Sequence, residues 1–361
     1  MLRGSRRQRI EATAVCSSGD VADVLRRLLL RDTGVMSHDS PRLLLDTNVW
    51  RYLVDARQVQ ELRKATKQSA VEVVVAPGVV YELLRTRDAP LRRELARAVT
   101  LGWWTRLMPE AFEQSQAIVR VIRRRRPEWL RENPDLANFY RLRSDWQGNL
   151  GFWKRARRTP QLEAKVISTL ERDVLERADA EARQRRADLK ALPFDRMKLT
   201  GWSSRPARAI PGWEGTDVAP WRFETLDVWW AGLLGRTQQA YVDWTEPFLD
   251  LRAIGAARAS WNHLWLHEVH SSEVPREWLR WGVGLLQGTR SVKGGTPGDN
   301  QIATYLVDAE KFVTADKVFA DIARVVARDA AFPVAETHLL RTPEDPMSVI
   351  LAVLARESAD A

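Results

Sequence analysis

Arg42-Leu43-Leu44-Leu45-Asp46-Thr47-Asn48 joins a short apolar run to an acid and two further polar residues. Unbroken apolar runs of this length suit a strand buried on both faces of a parallel sheet. Val71-Glu72-Val73-Val74-Val75, rich in β-branched residues, predicts a second such strand. Pro77 then opens a helical pattern through Val79, Val80, Leu83 and Leu84, and a further helix is expected from Ala89 to Leu101. Far downstream, Thr296-Pro297-Gly298-Asp299 reads as a helix start, with Ile302, Ala303 and Leu306 on one face. Lys311-Phe312-Val313-Thr314 is a third strand, and Asp316 begins a helix bearing Val318, Phe319, Ile322, Val325 and Val326. Ala331-Phe332-Pro333-Val334 reads as a last strand, at an edge because Pro333 cannot donate to a central ladder. Strand–helix alternation of this kind predicts an α/β fold, a three-layer α/β/α arrangement around a parallel sheet.

Composition divides the chain. Of 16 tryptophans, 15 lie between Trp103 and Trp281, with Trp50 alone outside. The chain has 361 residues and a formal charge of +9, and residues 120–208 hold 23 basic against 12 acidic side chains. Two composition classes argue for two structural units. The expected organisation is an N-terminal arm over 1–35, either disordered or an over-called start ahead of Met36. The α/β domain follows in two parts, 36–102 and 291–340, separated by an inserted, mainly α-helical, Trp-rich unit over 103–290. A helical tail occupies 341–361. Within the insertion, Leu162, Val166, Leu170, Val174, Ala178 and Ala182 recur every fourth residue between Pro160 and Pro193. Residues 194–221 collapse into Gly, Pro and Ser with isolated tryptophans, and helical spacing resumes near Leu226. The lone Cys16 excludes a disulfide framework and a Cys-based zinc site, and fits a reducing cytoplasm. No apolar run approaches the roughly 18 residues of a membrane helix.

Asp46 and Asp316 each follow a buried strand, and the carboxyl ends of parallel strands form the ligand crevice of such sheets. Glu82 lies one turn into the helix after the second strand, and Asp299 sits at a helix start just after the insertion. Singly, Asp46, Asp299 and Asp316 are good helix N-caps and Glu82 suits a solvated helix face. Together they suggest different chemistry. Two carboxylates about 4 Å apart repel by roughly 4 kcal/mol at an effective dielectric near 20, so converging acids take up protons or a cation. Oxygen donors without His or Cys select hard ions, Mg²⁺ or Mn²⁺, which favour phosphate as a further ligand.

Leu43-Leu44-Leu45-Asp46-Thr47-Asn48, Val80-Tyr81-Glu82-Leu83, Gly298-Asp299-Asn300-Gln301-Ile302-Ala303 and Val313-Thr314-Ala315-Asp316-Lys317-Val318-Phe319 resemble, in order, the motifs of PIN-domain nucleases. The resemblance covers residues 40–102 and 291–335. It implies a compact α/β sandwich with a divalent-metal site whose acids are Asp46, Glu82, Asp299 and Asp316, supported by Asn48 and Thr314. The sequence departs from the family's pattern in its long insertion between the second and third acids.

Within the insertion, Arg120 and Arg123-Arg124-Arg125-Arg126 precede Arg141, Arg143, Lys154, Arg155, Arg157 and Arg158, interleaved with Trp129, Phe139, Tyr140, Trp146, Phe152 and Trp153. Arginines neutralise phosphates and aromatic faces stack splayed bases. A helical bundle with an aromatic core and basic solvated faces explains the same pattern. The alternating charges from Ala178 to Lys190 suit a solvated helix face. His263, His267 and His270 share a helical face, but lack the acid beside the first histidine and the spacing that H-E-x-x-H requires, which favours packing over zinc binding. Paired tryptophans read as core. No serine sits in a G-x-S-x-G elbow, and Gly294-Gly295-Thr296-Pro297-Gly298, lacking a Lys-Ser/Thr ending, reads as a joint rather than a phosphate loop.

The function expected from these features is a cytoplasmic, Mg²⁺- or Mn²⁺-dependent endonuclease acting on single-stranded or structured RNA and leaving 5′-phosphate and 3′-hydroxyl ends. The alternative is a catalytically silent scaffold of the same fold whose helical insertion binds RNA or a partner protein. A toxin of a toxin–antitoxin pair is a variant of the first reading. A second copy of the chain or an antitoxin-like protein is the protein partner these readings admit.

Overall fold

The structure, a computed structural model, describes residues 40–148, 151–168, 198–206, 208–288, 296–341 and 344–360. The N-terminal arm, Cys16, the Ala178–Lys190 tract and the Gly294-Gly295 joint lie outside the described residues.

The fold is α/β. Five parallel strands form one sheet: β1 (Arg42–Leu45), β2 (Glu72–Val75), β3 (Thr105–Arg106), β4 (Lys311–Thr314) and β5 (Glu336–Leu339), in the order β3-β2-β1-β4-β5. Leu44 pairs with Val74 on one side and with Phe312 on the other, placing the leucine run at the centre. Leu43, Leu44 and Leu45 are all fully buried, as are Val74, Val75, Phe312 and Val313. Successive residues of a strand point to opposite faces, so these runs require cover on both sides of the sheet.

Three strands fall where the apolar runs predict them. The last one does not: Ala331–Val334 is irregular, and β5 forms further on, at Glu336–Leu339. It does lie at an edge. Pro333 explains the displacement, since the ladder begins only where backbone N–H groups can donate, with Glu336 N–H bonding Glu310 O at 2.8 Å. β3 has no apolar signature and is held by its pairing with Val74 and Val75.

Helices α1 (Thr47–Asp55) and α2 (Val59–Gln68) join β1 to β2, and α3 (Pro77–Leu84) and α4 (Ala89–Val99) join β2 to β3. Beyond β3 come α5 (Glu110–Arg125), α6 (Leu136–Gln147) and α7 (Phe152–Arg158), and residues 160–168 are helical too. After irregular stretches over 198–206 and 208–219, joined by an isolated bridge from Ser204 to Val218, helices resume as α8 (Pro220–Trp229), α9 (Gln239–Thr245), α10 (Leu251–Ala256), α11 (Arg258–His263) and α12 (Pro275–Gly288). Two π-helical segments, Trp230–Leu234 and Leu264–Glu268, extend α8 and α11. α13 (Thr296–Ala303) precedes β4, α14 (Lys317–Asp329) joins β4 to β5, and α15 (Pro346–Asp360) ends the chain.

Residues from Ser40 onward form one compact unit, and the helices between β3 and β4 share a continuous hydrophobic core with the sheet. Their tryptophans pack edge to face. Within them Trp261 meets Trp265 at 5.7 Å between ring centres, and just before β3 Trp104 meets Trp50 of α1 at 5.6 Å. Polar ties cross the same boundary. Arg276 of α12 grips Asp308 through two 2.8 Å bonds and donates to Thr304 O at 2.6 Å, while Tyr305 Oη donates to Met108 O at 3.0 Å. The Arg276 bonds fix α12 against the segment that follows α13, and the Tyr305 bond ties that segment to the chain just before α5.

Candidate active site

The carboxyl end of the sheet gathers the acids. Asp46 continues the β1 ladder by one residue, its N–H bonding Val313 O at 2.9 Å, and then caps α1. Its side chain is 2% exposed. Oδ1 accepts from Thr47 N at 2.7 Å and Oδ2 from Thr314 Oγ1 at 2.6 Å. Thr314, fully buried at the end of β4, also accepts from Asp316 N at 3.0 Å through the same hydroxyl. Asp316 caps α14 through Oδ1, which accepts from Val318 N at 2.7 Å and Phe319 N at 3.0 Å. The capping role open to Asp46 and Asp316 is therefore real, and it orients both at neighbouring strand ends.

Glu82 is partly buried on α3 rather than solvated, and its Oε2 accepts from Thr47 Oγ1 at 2.8 Å. The helix bearing Asp299 comes close at this point: a Cβ added at Gly298 would stand 3.3 Å from Glu82 Oε2. Glycine there permits the close approach of α13. Asp299 lies in the first turn of α13, where the helix dipole favours a negative charge.

The charges of neighbouring acids bear on Asp46, Glu82 and Asp299. Burial pushes the Asp46 carboxyl up to about 7, and the charges of Glu82 and Asp316 add to that against the pull of Thr314 and Thr47. Asp299 is pushed up to about 9 by burial and then by Asp46, Glu82 and Asp316. Glu82 is raised as well, mainly by burial, with Thr47 and Arg85 opposing. Among the described residues, however, no group of three or more His, Cys, Asp or Glu side chains is arranged to hold a metal ion as it stands. The donor set is nonetheless chemically suited to a hard cation. Each carboxylate oxygen has two lone pairs, so those bonded to Thr47 and Thr314 each retain one.

Thr47 is a residue of the candidate site that the motifs did not single out. Its backbone N–H and hydroxyl bridge Asp46 to Glu82, and the signal was a hydroxyl residue directly after the strand-end acid. Asn48, expected to support the acids, is exposed on the first turn of α1 and makes none of these bonds.

The arginine run is engaged within the chain. Arg124 and Arg125 bind the two oxygens of Glu273 at 2.9 and 2.7 Å, and Arg126 pairs with Glu268 while donating to Ser260 Oγ at 2.9 Å. Arg155 pairs with Glu163 at 2.9 Å and Asp145 at 3.2 Å. Arg123 is partly buried, whereas Arg157 and Arg158 are exposed. His263 stands between Glu214 and Glu268, at 3.6 and 3.4 Å, and its ring meets that of His267 at 5.1 Å. His270 is exposed beyond them.

Comparison with protein-family models, with curated proteins and with solved structures gives no match to this chain.

Proposed function

We propose that the chain is a PIN-like, divalent-metal-dependent endonuclease that hydrolyses phosphodiesters of RNA, leaving 5′-phosphate and 3′-hydroxyl ends. The observation that carries this reading is the meeting of the acids beyond the carboxyl end of the sheet: Thr47 joins Asp46 to Glu82, Thr314 joins Asp46 to Asp316, and Gly298 brings the helix of Asp299 against Glu82. An Mg²⁺ or Mn²⁺ ion held by Asp46 and Asp299, with Glu82 and Asp316 completing the set, would neutralise the cluster. Such an ion supplies Lewis-acid activation of water and phosphate.

The chain's own residues do the positioning. Thr314 and Thr47 hold Asp46 by one oxygen each, fixing its plane, and Thr47 anchors Glu82 beside it. A carboxylate of the set would take up the proton of the attacking water, which would displace the 3′-oxygen from phosphorus in line. No side-chain nucleophile is needed. The test is cleavage of single-stranded RNA with and without EDTA, in wild type and Asp46→Asn. Cleavage that survives both the chelator and the substitution removes the mechanism.

The silent-scaffold reading is favoured by one observation, that no three acids among the described residues form a ready ligand set. Calorimetric titration with Mn²⁺ separates the two. Binding abolished by Asp46→Asn supports the nuclease, and no binding at millimolar metal supports the scaffold.

A further inference from the structure

Arg106 closes β3 at the carboxyl end of the sheet. It pairs with Val75 of β2, and β2 pairs with β1, the strand that Asp46 follows. The residue is half-buried. Its guanidinium lies 5.8 Å from the centre of the Trp153 ring, and Nη2 donates to Thr100 O at 2.9 Å. Trp153 and Arg157 stand four residues apart on α7 and so share one face of that helix. Arg157 therefore comes to the side of α7 that meets Arg106. Burial holds the Arg106 guanidinium below its ordinary value, and the charge of Arg157 lowers it further.

No carboxylate offsets these two. Among the described residues neither Arg106 nor Arg157 has an ion-pair partner, whereas Arg124, Arg125, Arg126 and Arg155 all have one. Two cations brought together, one of them partly withdrawn from water, are unfavourable until an anion joins them. Arg157 is exposed, so an anion can reach it from solvent. The planar fork of guanidinium donors matches the oxygens of a phosphate. The pair also lies beside the helix that carries Glu82: Phe152, at the start of α7, meets Tyr81 of α3 at 5.0 Å between ring centres, and Tyr81 directly precedes Glu82.

We propose that Arg106 and Arg157 together hold one phosphodiester of the RNA substrate, at a linkage other than the one that is cut. This rests on the nuclease reading of the acids and adds to it a site that positions the strand. Arg106 comes from the sheet and Arg157 from the helices between β3 and β4, so the phosphate bridges the two parts of the chain.

The test is fluorescence anisotropy of a labelled oligouridylate of about twelve nucleotides, titrated with the full chain in EDTA. Arg106→Gln and Arg157→Ala should each weaken binding about tenfold, and the double substitution by less than the product of the two, because both hold one phosphate. Arg236→Ala removes the same charge from an arginine already bound to Glu246 at 2.7 Å and should change affinity by less than about twofold. No binding by wild type up to about 100 µM, a loss in Arg157→Ala no greater than in Arg236→Ala, or a double substitution equal to the product would each overturn the proposal. Arg157 is exposed, so its arm decides the matter even if Arg106→Gln fails to fold. The chelator separates binding from cleavage. Arginine-dependent binding without metal-dependent cleavage removes the nuclease reading alone, and cleavage with arginine-independent binding removes this site alone.

Discussion

Thr314 Oγ1 donates a 2.6 Å hydrogen bond to Asp46 Oδ2 across 268 residues of sequence. The same oxygen accepts from Asp316 N at 3.0 Å. One buried hydroxyl therefore sets the placement of two of the four acids, and joins the ends of β1 and β4. Removing it leaves a buried acceptor and a backbone donor without partners, at about 1–3 kcal/mol. Thr314→Val should lose stability of that order in a urea titration, and Thr314→Ser should recover most of it.

The acidic cluster makes stability depend on pH with a definite sign. Asp46 and Asp299 have folded-state values of about 7 and about 9, against an ordinary value of 3.8. Between those limits the folded chain binds more protons than the unfolded one, so stability declines as pH rises. The stabilising contribution is intact below the unfolded value and lost as pH passes the folded values. In EDTA, the thermal midpoint should fall by a few degrees across this window on account of these two groups. Asp46→Asn should flatten the decline, and Mn²⁺ should oppose it.

Arg276 and Asp308 tie α12 to the segment after α13 with two 2.8 Å bonds, and both side chains are largely buried. Breaking such a pair by removing one partner strands the other charge and costs about 3–5 kcal/mol. Asp308→Ala should therefore destabilise the chain by that order in a denaturant titration, whereas replacing the exposed Arg158 should change stability by less than about 0.5 kcal/mol.

The arginines of the helical segment should separate into two groups. Arg125 and Arg126 are engaged with Glu273 and Glu268, so replacing them should lower the thermal midpoint. Arg157 and Arg158 are exposed, and if RNA runs along this face each alanine substitution should reduce the salt slope of RNA binding by about one. An unchanged slope would remove these two residues from the interface.

Much of this was legible in local sequence because the controlling forces are local. Leu43-Leu44-Leu45 and Phe312-Val313 are buried on both faces and need no distant information to be read as central strands. Asp46 and Asp316 sit directly after them, where a cap and a strand end coincide. β3 was not legible, because Thr105-Arg106 belongs to the sheet through pairing with β2 rather than through apolar character. β5 was displaced for a related reason: only Thr337 of its four residues is buried, so the ladder rather than hydrophobicity defines it. The arginine run shows the limit most clearly. Its partners Glu268 and Glu273 lie more than 140 residues downstream, and nothing near Arg126 announces them. Thr47 was hidden differently, as a residue whose backbone and hydroxyl serve two acids at once.

The most direct measurement is anomalous scattering from crystals equilibrated with millimolar Mn²⁺. A peak bounded by Asp46, Glu82, Asp299 and Asp316, and absent in Asp46→Asn, is the expected result. No peak at these four carboxylates, or an ion bound only elsewhere, would contradict a shared cation as the reason these distant acids meet.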